Sequence, residues 1–233
     1  MATTIVIGAG QAGAEVVSKL RDEGHEDRIV LIGQEDYLPY QRPPLSKKYM
    51  AGEMALERLF LRPKEFYQDK SIELHIGKPA LKIDPNQQTV EFSDGSLKYD
   101  HLVLSTGSKP RELPTYNSRK IKNLFTMRDL IDANSIEAFM KSGMRLLIVG
   151  GGYIGLEAAA TARKFGVDVT LVEIEERILK RVAAKETSDY IRSLHISNGV
   201  KIKEAIGLDK LEIVGEKVVN ASLTDDSDIN VDF

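Results

Sequence analysis

Cysteine is absent from the 233 residues, which excludes structural disulfides, thiolate metal sites and a dithiol redox centre within the chain. No apolar run is long enough to span a bilayer. Neither sign of charge dominates: the formal net charge is −3, which argues against a nucleic-acid or membrane-surface binder. The N-terminus passes directly into a strand pattern, Thr3-Thr4-Ile5-Val6-Ile7, with no basic segment and no small-residue cleavage site before it. No secretory signal is read there, and the cytoplasm is the default expectation. His25, His75, His101 and His195 have no partners at metal-ligand spacing, so no metal site is expected. What is present is ordinary for a globular protein, with 42% hydrophobic and 29% charged residues in a chain long enough for one large or two modest domains.

The informative feature is a repeated plan. A short apolar run, Thr4-Ile5-Val6-Ile7, suits a buried parallel strand. Gly8-Ala9-Gly10-Gln11-Ala12-Gly13 follows, then a helical stretch from about Gln11 to Glu23 stopped by Gly24, then a strand Arg28–Ile32 ending at Gly33-Gln34-Glu35. The same order returns with Arg145–Val149, the turn Gly150-Gly151-Gly152-Tyr153-Ile154-Gly155, a helix ending near Gly166, and a strand Asp168–Val172 leading into Glu173. The fold class expected is α/β: two Rossmann-like dinucleotide-binding domains with parallel sheets and an antiparallel meander.

Between the two units, three prolines make residues 37–47 a fixed irregular segment, with a short helix starting at Ser46 as its cap. Residues 72–76 and 87–92 alternate and turn at Asp94-Gly95, as in a meander. Residues 102–105 form a further buried strand, and 128–141 and 183–197 are helical, with weaker strands at 200–206 and 211–223. Domain boundaries follow at 1–108, a linker at 109–118, and 119–233. The first plan closes with Tyr99-Asp100-His101 opening a strand, and Val231-Asp232-Phe233 stands at the matching place in the second. The expectation is that the second unit's closing strand lies beyond this sequence, which then reads as a fragment of a longer polypeptide.

Each turn has G-x-G-x-x-G spacing in the context that gives the motif meaning: a strand before, a helix after, and an acid about 20 residues on. Gly8 and Gly150 allow the tight exit from the strand. Gly10 and Gly152 leave room for a diphosphate, and Gly13 and Gly155 let helix and strand pack closely. The diphosphate then sits on free N–H groups at a helix start, where the dipole favours negative charge. Glu173, with Glu175 and Glu176 following, suits a ribose diol and repels a 2′-phosphate, pointing to NADH over NADPH. In the first unit either Glu35 or Gln34 holds the ribose.

Tyr40-Gln41-Arg42-Pro43-Pro44-Leu45-Ser46-Lys47, taken with both glycine turns and Gly155-Leu156-Glu157, resembles the FAD-dependent ferredoxin reductases. These serve cytochrome P450 systems and Rieske-type dioxygenases, with apoptosis-inducing factor a more distant relative. The resemblance covers essentially the whole chain. It implies that the first unit binds FAD and the second NADH. Ala12 and Gly13 would contact the FAD diphosphate, and Arg42 and Lys47 would lie near the flavin. Ala80 would meet the adenine through its backbone. Thr106 and Gly107 would match the family's A-T-G turn, with Ser105 in its first place, and Arg128 would reach the flavin from beyond the linker. Tyr153 and Ile154 belong to the NADH turn.

The resemblance further implies two residues with direct roles. Lys47 would stabilise negative charge on the reduced flavin, and Glu157 would pair with Lys47 and help position the nicotinamide. Electrons would then pass to a small [2Fe–2S] ferredoxin. Other acceptors stay open at this point: rubredoxin, a nitrite reductase module or oxygen. A non-catalytic nucleotide-binding, redox-sensing protein also stays open. Relatives continue with the rest of the FAD domain and a C-terminal interface domain, so this chain alone is expected to hold FAD poorly.

Overall fold

The computed structural model describes residues 2–113, 116 and 120–233. By internal contacts the chain forms two units, Met1–Arg42 with Ala55–Lys109, and Pro43–Met54 with Pro110–Phe233.

The first unit runs β1 (Thr3–Ile7), α1 (Gln11–Asp22), β2 (Arg28–Ile32), α2 (Lys64–Asp69), β3 (Ile72–His75), β4 (Lys82–Asp84), β5 (Thr89–Phe92), β6 (Gly95–Lys98) and β7 (His101–Leu104). Its parallel sheet has the order β3-β2-β1-β7. Because both faces are covered, β1 and β2 read as unbroken apolar runs. Alternate residues still serve different faces. Val6, Ile29 and Leu31 pack with Val17 of α1 and Tyr67 of α2, while Ile5, Ile7, Val30 and Ile32 pack with Val90 of β5. The meander is β4-β5-β6. Residues 72–75 do not belong to it: they pair parallel with β2. Alternation showed that this edge strand has one face in the core but not which partner it takes.

The second unit contains α3 (Leu130–Glu137), β8 (Arg145–Val149), α4 (Tyr153–Lys164), β9 (Asp168–Glu173), α5 (Lys185–Ser197) and β10 (Lys201–Glu204). The strands form a parallel sheet in the order β10-β9-β8. The stretch expected as one strand, 211–223, is a hairpin of β11 (Leu208–Val214) and β12 (Lys217–Leu223), extended by β13 (Asp228–Asn230). Gly215, at φ +64°, opens the two-residue loop. Asp129 caps α3 in a reciprocal capping box with Asp132, so the helix starts two residues later than expected.

Two sequence boundaries are corrected. Residues 43–54 pack with the second unit although residues of the first flank them in sequence. Met50 is fully buried in the cluster formed by Leu156, Ala159, Leu171 and Phe233. The expected linker is also partly built in: Leu113 and Tyr116 pack on the β11–β13 sheet, and the Leu211 amide donates to Tyr116 Oη at 2.7 Å. Pro114, Thr115, Asn117 and Ser118 of that linker, and Arg119, lie outside the described residues.

The repeat seen in the sequence has a counterpart in hydrogen bonds. Thr3 N donates to Asp100 Oδ2 at 2.7 Å, and Asp100 N donates to Thr3 O at 2.9 Å. In the second unit Arg145 N donates to Asp232 Oδ2 and Asp232 N to Arg145 O, both at 2.8 Å. Residues 231–233 therefore lie along β8 as residues 99–101 lie along β1. Buried Asn123 fixes them there, its amide nitrogen donating to Val218 O and Asp232 O while its oxygen accepts from Val218 N.

Tyr67 carries a buried hydroxyl with no partner among the described residues, and burial pushes its pKa up to about 12 from 10. The raised value means that its contribution is complete below pH 10 and is lost as pH rises towards 12, at about 1.4 kcal/mol per pH unit. Tyr67→Phe is expected to keep or slightly raise stability at pH 7 and to flatten the loss between pH 10 and 12. Denaturant titrations across that range check this. An unchanged alkaline slope in the variant would contradict the assignment.

Candidate functional site

Both glycine turns end in helices built to leave their first N–H groups free. The helices α1 and α4 start at Gln11 and Tyr153, with Gly10 and Gly152 at the cap positions, no side-chain cap and no acid in the first turn. The first intrahelical bonds are Ala14 N to Gly10 O and Leu156 N to Gly152 O. The amides of residues 11–13 and 153–155 thus point out of the helix starts. A Cβ on Gly10 or Gly152 would stand in open space, whereas one on Gly13 would lie 2.0 Å from Gly8 O and one on Gly155 2.3 Å from Gly150 O. The inner glycines serve packing, and the outer ones keep a cradle clear. That combination fits a diphosphate at each helix start. Ala12, Tyr153 and Ile154 line the rims, and all three are exposed.

The two strand ends differ for a steric reason that sequence spacing did not show. Gly8 N donates to Ile32 O and Gly150 N to Val172 O, so Gly33 matches Glu173 and Ala9 matches Gly151. A Cβ on Gly33 would fall 2.7 Å from the Ala9 Cβ; a Cβ on Gly151 would fall 3.3 Å from the Glu173 Cβ and 2.6 Å from Ile178 Cγ2. A Cβ on Gly151 would clash with Ile178 before it crowded Glu173, and each turn carries one side chain at this crossing. In the second unit it is Glu173, whose carboxylate accepts from Gly151 N at 2.7 Å and Glu175 N at 2.9 Å. Its remaining lone pairs can receive a ribose diol. In the first unit Ala9 takes the space, and the acid is displaced to Glu35.

Glu35 is already engaged. Tyr40 Oη donates to its Oε2 and the Arg42 guanidinium to its Oε1, and the guanidinium also lies over the Tyr40 ring, 5.1 Å from its centre. Arg42 and Glu35, expected at separate parts of a ligand, form one ion pair. Tyr40 serves that cluster, with Tyr37 edge-on against it, and Gln34 is exposed. Thr106 and Gly107 follow Ser105, whose hydroxyl reaches both Ile7 O and Gly8 O beside the first glycine turn. Ala80 packs beneath the meander with Val90 and Ile83.

Lys47 and Glu157 come together in the second unit, Nζ to Oε1 at 2.9 Å. Ser46, expected to cap a helix, does not: the helical turn is Leu45–Tyr49 with Pro44 at its cap. The Ser46 hydroxyl donates instead to Glu157 Oε2 at 2.6 Å, and Thr161 Oγ1 donates to Ser46 O at 2.8 Å. Arg128 stands just before α3, its amide donating to Asp132 Oδ2, and burial holds the Asp132 carboxyl above its ordinary range. An apolar cavity of about 370 Å³ opens beside β8, lined by Phe125, Met127, Ile148, Ala158 and Phe233. Sequence reading missed Thr161, the bond from Ser46 to Glu157, the bonds from Ser105 to the first glycine turn, and the Ala9–Gly33 crowding. Only the matched turns of the repeat, with small and large residues exchanged, carried a signal for the last of these.

The crowding has a direct test. Gly33 has no positive φ, so Gly33→Ala meets chiefly the Ala9 methyl at 2.7 Å, with Ile76 Cδ1 next at 3.3 Å, and should cost roughly 1–3 kcal/mol. Ala9→Gly should restore most of that loss in the double variant. Additive losses in chemical denaturation would overturn the pairing.

The pattern of the pyridine nucleotide-disulphide oxidoreductases matches residues 2–233. The chain is 37% identical to rhodocoxin reductase of Rhodococcus erythropolis over 229 residues, 98% of this chain and 53% of that protein. It is 40% identical to the 3-phenylpropionate/cinnamic acid dioxygenase ferredoxin–NAD(+) reductase component of Photorhabdus laumondii over 201 residues, 85% of this chain and 50% of that one. The crystal structure of the covalent putidaredoxin reductase–putidaredoxin complex superposes with a TM-score of 0.96 at 38% identity, covering all of this chain and 57% of the other. The chain spans about half the length of the curated relatives it matches. With two uncapped helix starts behind clear glycine cradles and a family pattern running from residue 2 to residue 233, the chain belongs to the pyridine nucleotide-disulphide oxidoreductase family.

Proposed function

We propose that this chain carries the FAD turn and the NADH turn of an NADH-dependent ferredoxin reductase, which passes electrons to a small [2Fe–2S] ferredoxin serving a cytochrome P450 or a Rieske oxygenase. The observation that carries the reading is the Lys47–Glu157 pair, with Glu157 the fifth residue of α4 beyond the cap of the second nucleotide turn. It is supported by relatives whose names describe ferredoxin reductases. When bound, a flavin takes up a hydride from the reduced nicotinamide and gives electrons onward singly.

The residues divide the remaining work. Residues 11–13 and 153–155 hold the two diphosphates through main-chain N–H groups. Glu173 takes the NADH ribose and repels a 2′-phosphate. Lys47 places a positive charge where negative charge builds on the flavin, and Glu157 orients Lys47 and the nicotinamide. Arg42 is held by Glu35, which serves as its anchor, and either Glu35 or Gln34 meets the FAD ribose. The cytoplasm is the compartment we propose for it.

In the flavin-loaded protein, NADH should bleach the flavin spectrum, and added [2Fe–2S] ferredoxin should restore it. Transfer only to rubredoxin or oxygen, or a long-lived reduced complex without turnover, would overturn the acceptor. Lys47→Met should slow flavin reduction by NADH at least tenfold, as removal of a placed charge does; an unchanged stopped-flow rate would remove Lys47 from the chemistry. Glu173→Ala should weaken NADH binding roughly tenfold or more through loss of the ribose hydrogen bonds and narrow the preference over NADPH. Calorimetry with both nucleotides reads this, and an unchanged preference would contradict the role of Glu173.

A further inference from the structure

We propose that Ser46 is the positioning residue of the Lys47–Glu157 pair and that Thr161 anchors it. Glu157 and Thr161 stand one turn apart on the same face of α4. Ser46 meets both, giving its hydroxyl to Glu157 Oε2 at 2.6 Å and receiving the Thr161 hydroxyl on its carbonyl at 2.8 Å. Ser46 and Thr161 are 4% and 5% exposed, whereas the Lys47 side chain is 48% exposed. The two oxygens of Glu157 therefore have partners of different character. Oε2 is tied to a short, buried side chain with one rotatable bond, and Oε1 meets a long, half-exposed ammonium.

A half-exposed ion pair of two flexible side chains is worth about 0–1 kcal/mol and does not fix a geometry by itself. The buried hydroxyl supplies the fixed point. It sets the carboxylate plane, and the carboxylate then directs where the Lys47 ammonium rests. The neighbours of Ser46 reinforce this: Leu45 and Met50 are buried on either side of the turn, Tyr49 Oη donates to Asn134 Oδ1 at 2.8 Å, and Lys164 Nζ bonds Glu53 at 3.0 Å. The inference rests on the reading of Lys47 and Glu157 as the working pair.

The test reads Lys47 without depending on turnover. The protein is treated with limiting acetic anhydride, and acetylation of Lys47 is measured by mass spectrometry relative to exposed Lys48. Ser46→Ala should raise the Lys47/Lys48 ratio roughly threefold, Glu157→Gln should raise it more, and the double variant no further than Glu157→Gln alone, as coupled neighbours require. Ser46→Thr, which keeps the hydroxyl, should restore the wild-type ratio, and Thr161→Val should move it in the same direction as Ser46→Ala. A wild-type ratio in Ser46→Ala at an unchanged melting temperature, or additive increases in the double variant, overturns the proposal. If Ser46→Ala melts early, Thr161→Val decides by the same criterion. In stopped flow, Ser46→Ala should slow flavin reduction with nucleotide affinity kept. If Lys47→Met leaves that rate unchanged, the catalytic reading of the pair fails while the acetylation ratios still decide the role of Ser46.

Discussion

The structure depends on one close approach, repeated twice: the carbonyl of the first glycine in each turn lies where a Cβ on the last glycine would be. At 2.0 Å for Gly13 against Gly8 O and 2.3 Å for Gly155 against Gly150 O, no side chain fits. This contact lets the helix start immediately behind the strand end. It fixes the direction of α1 and α4, aims their free amides past the carboxyl ends of β1 and β8, and leaves the cradles at Gly10 and Gly152 clear. Such backbone geometry suits an anion, and neither helix start has a side-chain cap or an acid in its first turn.

From this shared core the units diverge through single side chains. A methyl at Ala9 crowds a Cβ at position 33, whereas Gly151 sets no Cβ against Glu173. The first unit then engages its nearest acid, Glu35, in a cluster with Arg42 and Tyr40. The second holds its acid against the turn by two backbone amides. One carboxylate is a partner to a guanidinium, and the other is oriented with lone pairs to spare. The two turns thus differ in which residue at the crossing carries a Cβ.

The segment 43–54 adds polar side-chain chemistry to the second unit. It brings an ammonium and a hydroxyl to one carboxylate on α4, with the hydroxyl buried and the ammonium half exposed. Such an arrangement separates holding from acting: the buried donor sets the geometry, and the exposed cation is left available to a ligand. The absence of cysteine means that no thiol of this chain takes part, although the family's name refers to disulfide chemistry.

The sequence by itself determined the two strand–turn–helix units, their parallel sheets, the meander and the acid Glu173. These are local: a strand, a turn and a helix follow from spacings of two to four residues and from where a Cβ can or cannot fit. The matched Asp100 and Asp232 positions were legible for the same reason, since each repeats within its own plan. The family resemblance added the Lys47–Glu157 pairing, across 110 residues that no spacing rule bridges. Only the tertiary structure decided that residues 43–54 pack with the second unit, that Ser46 serves Glu157 rather than capping a helix, that Arg42 pairs with Glu35, and that residues 72–75 join β2. Periodicity tells which face of an element is apolar, and composition tells that a proline-rich segment is rigid. Neither tells which distant surface receives that face, because that depends on packing between elements far apart in the chain.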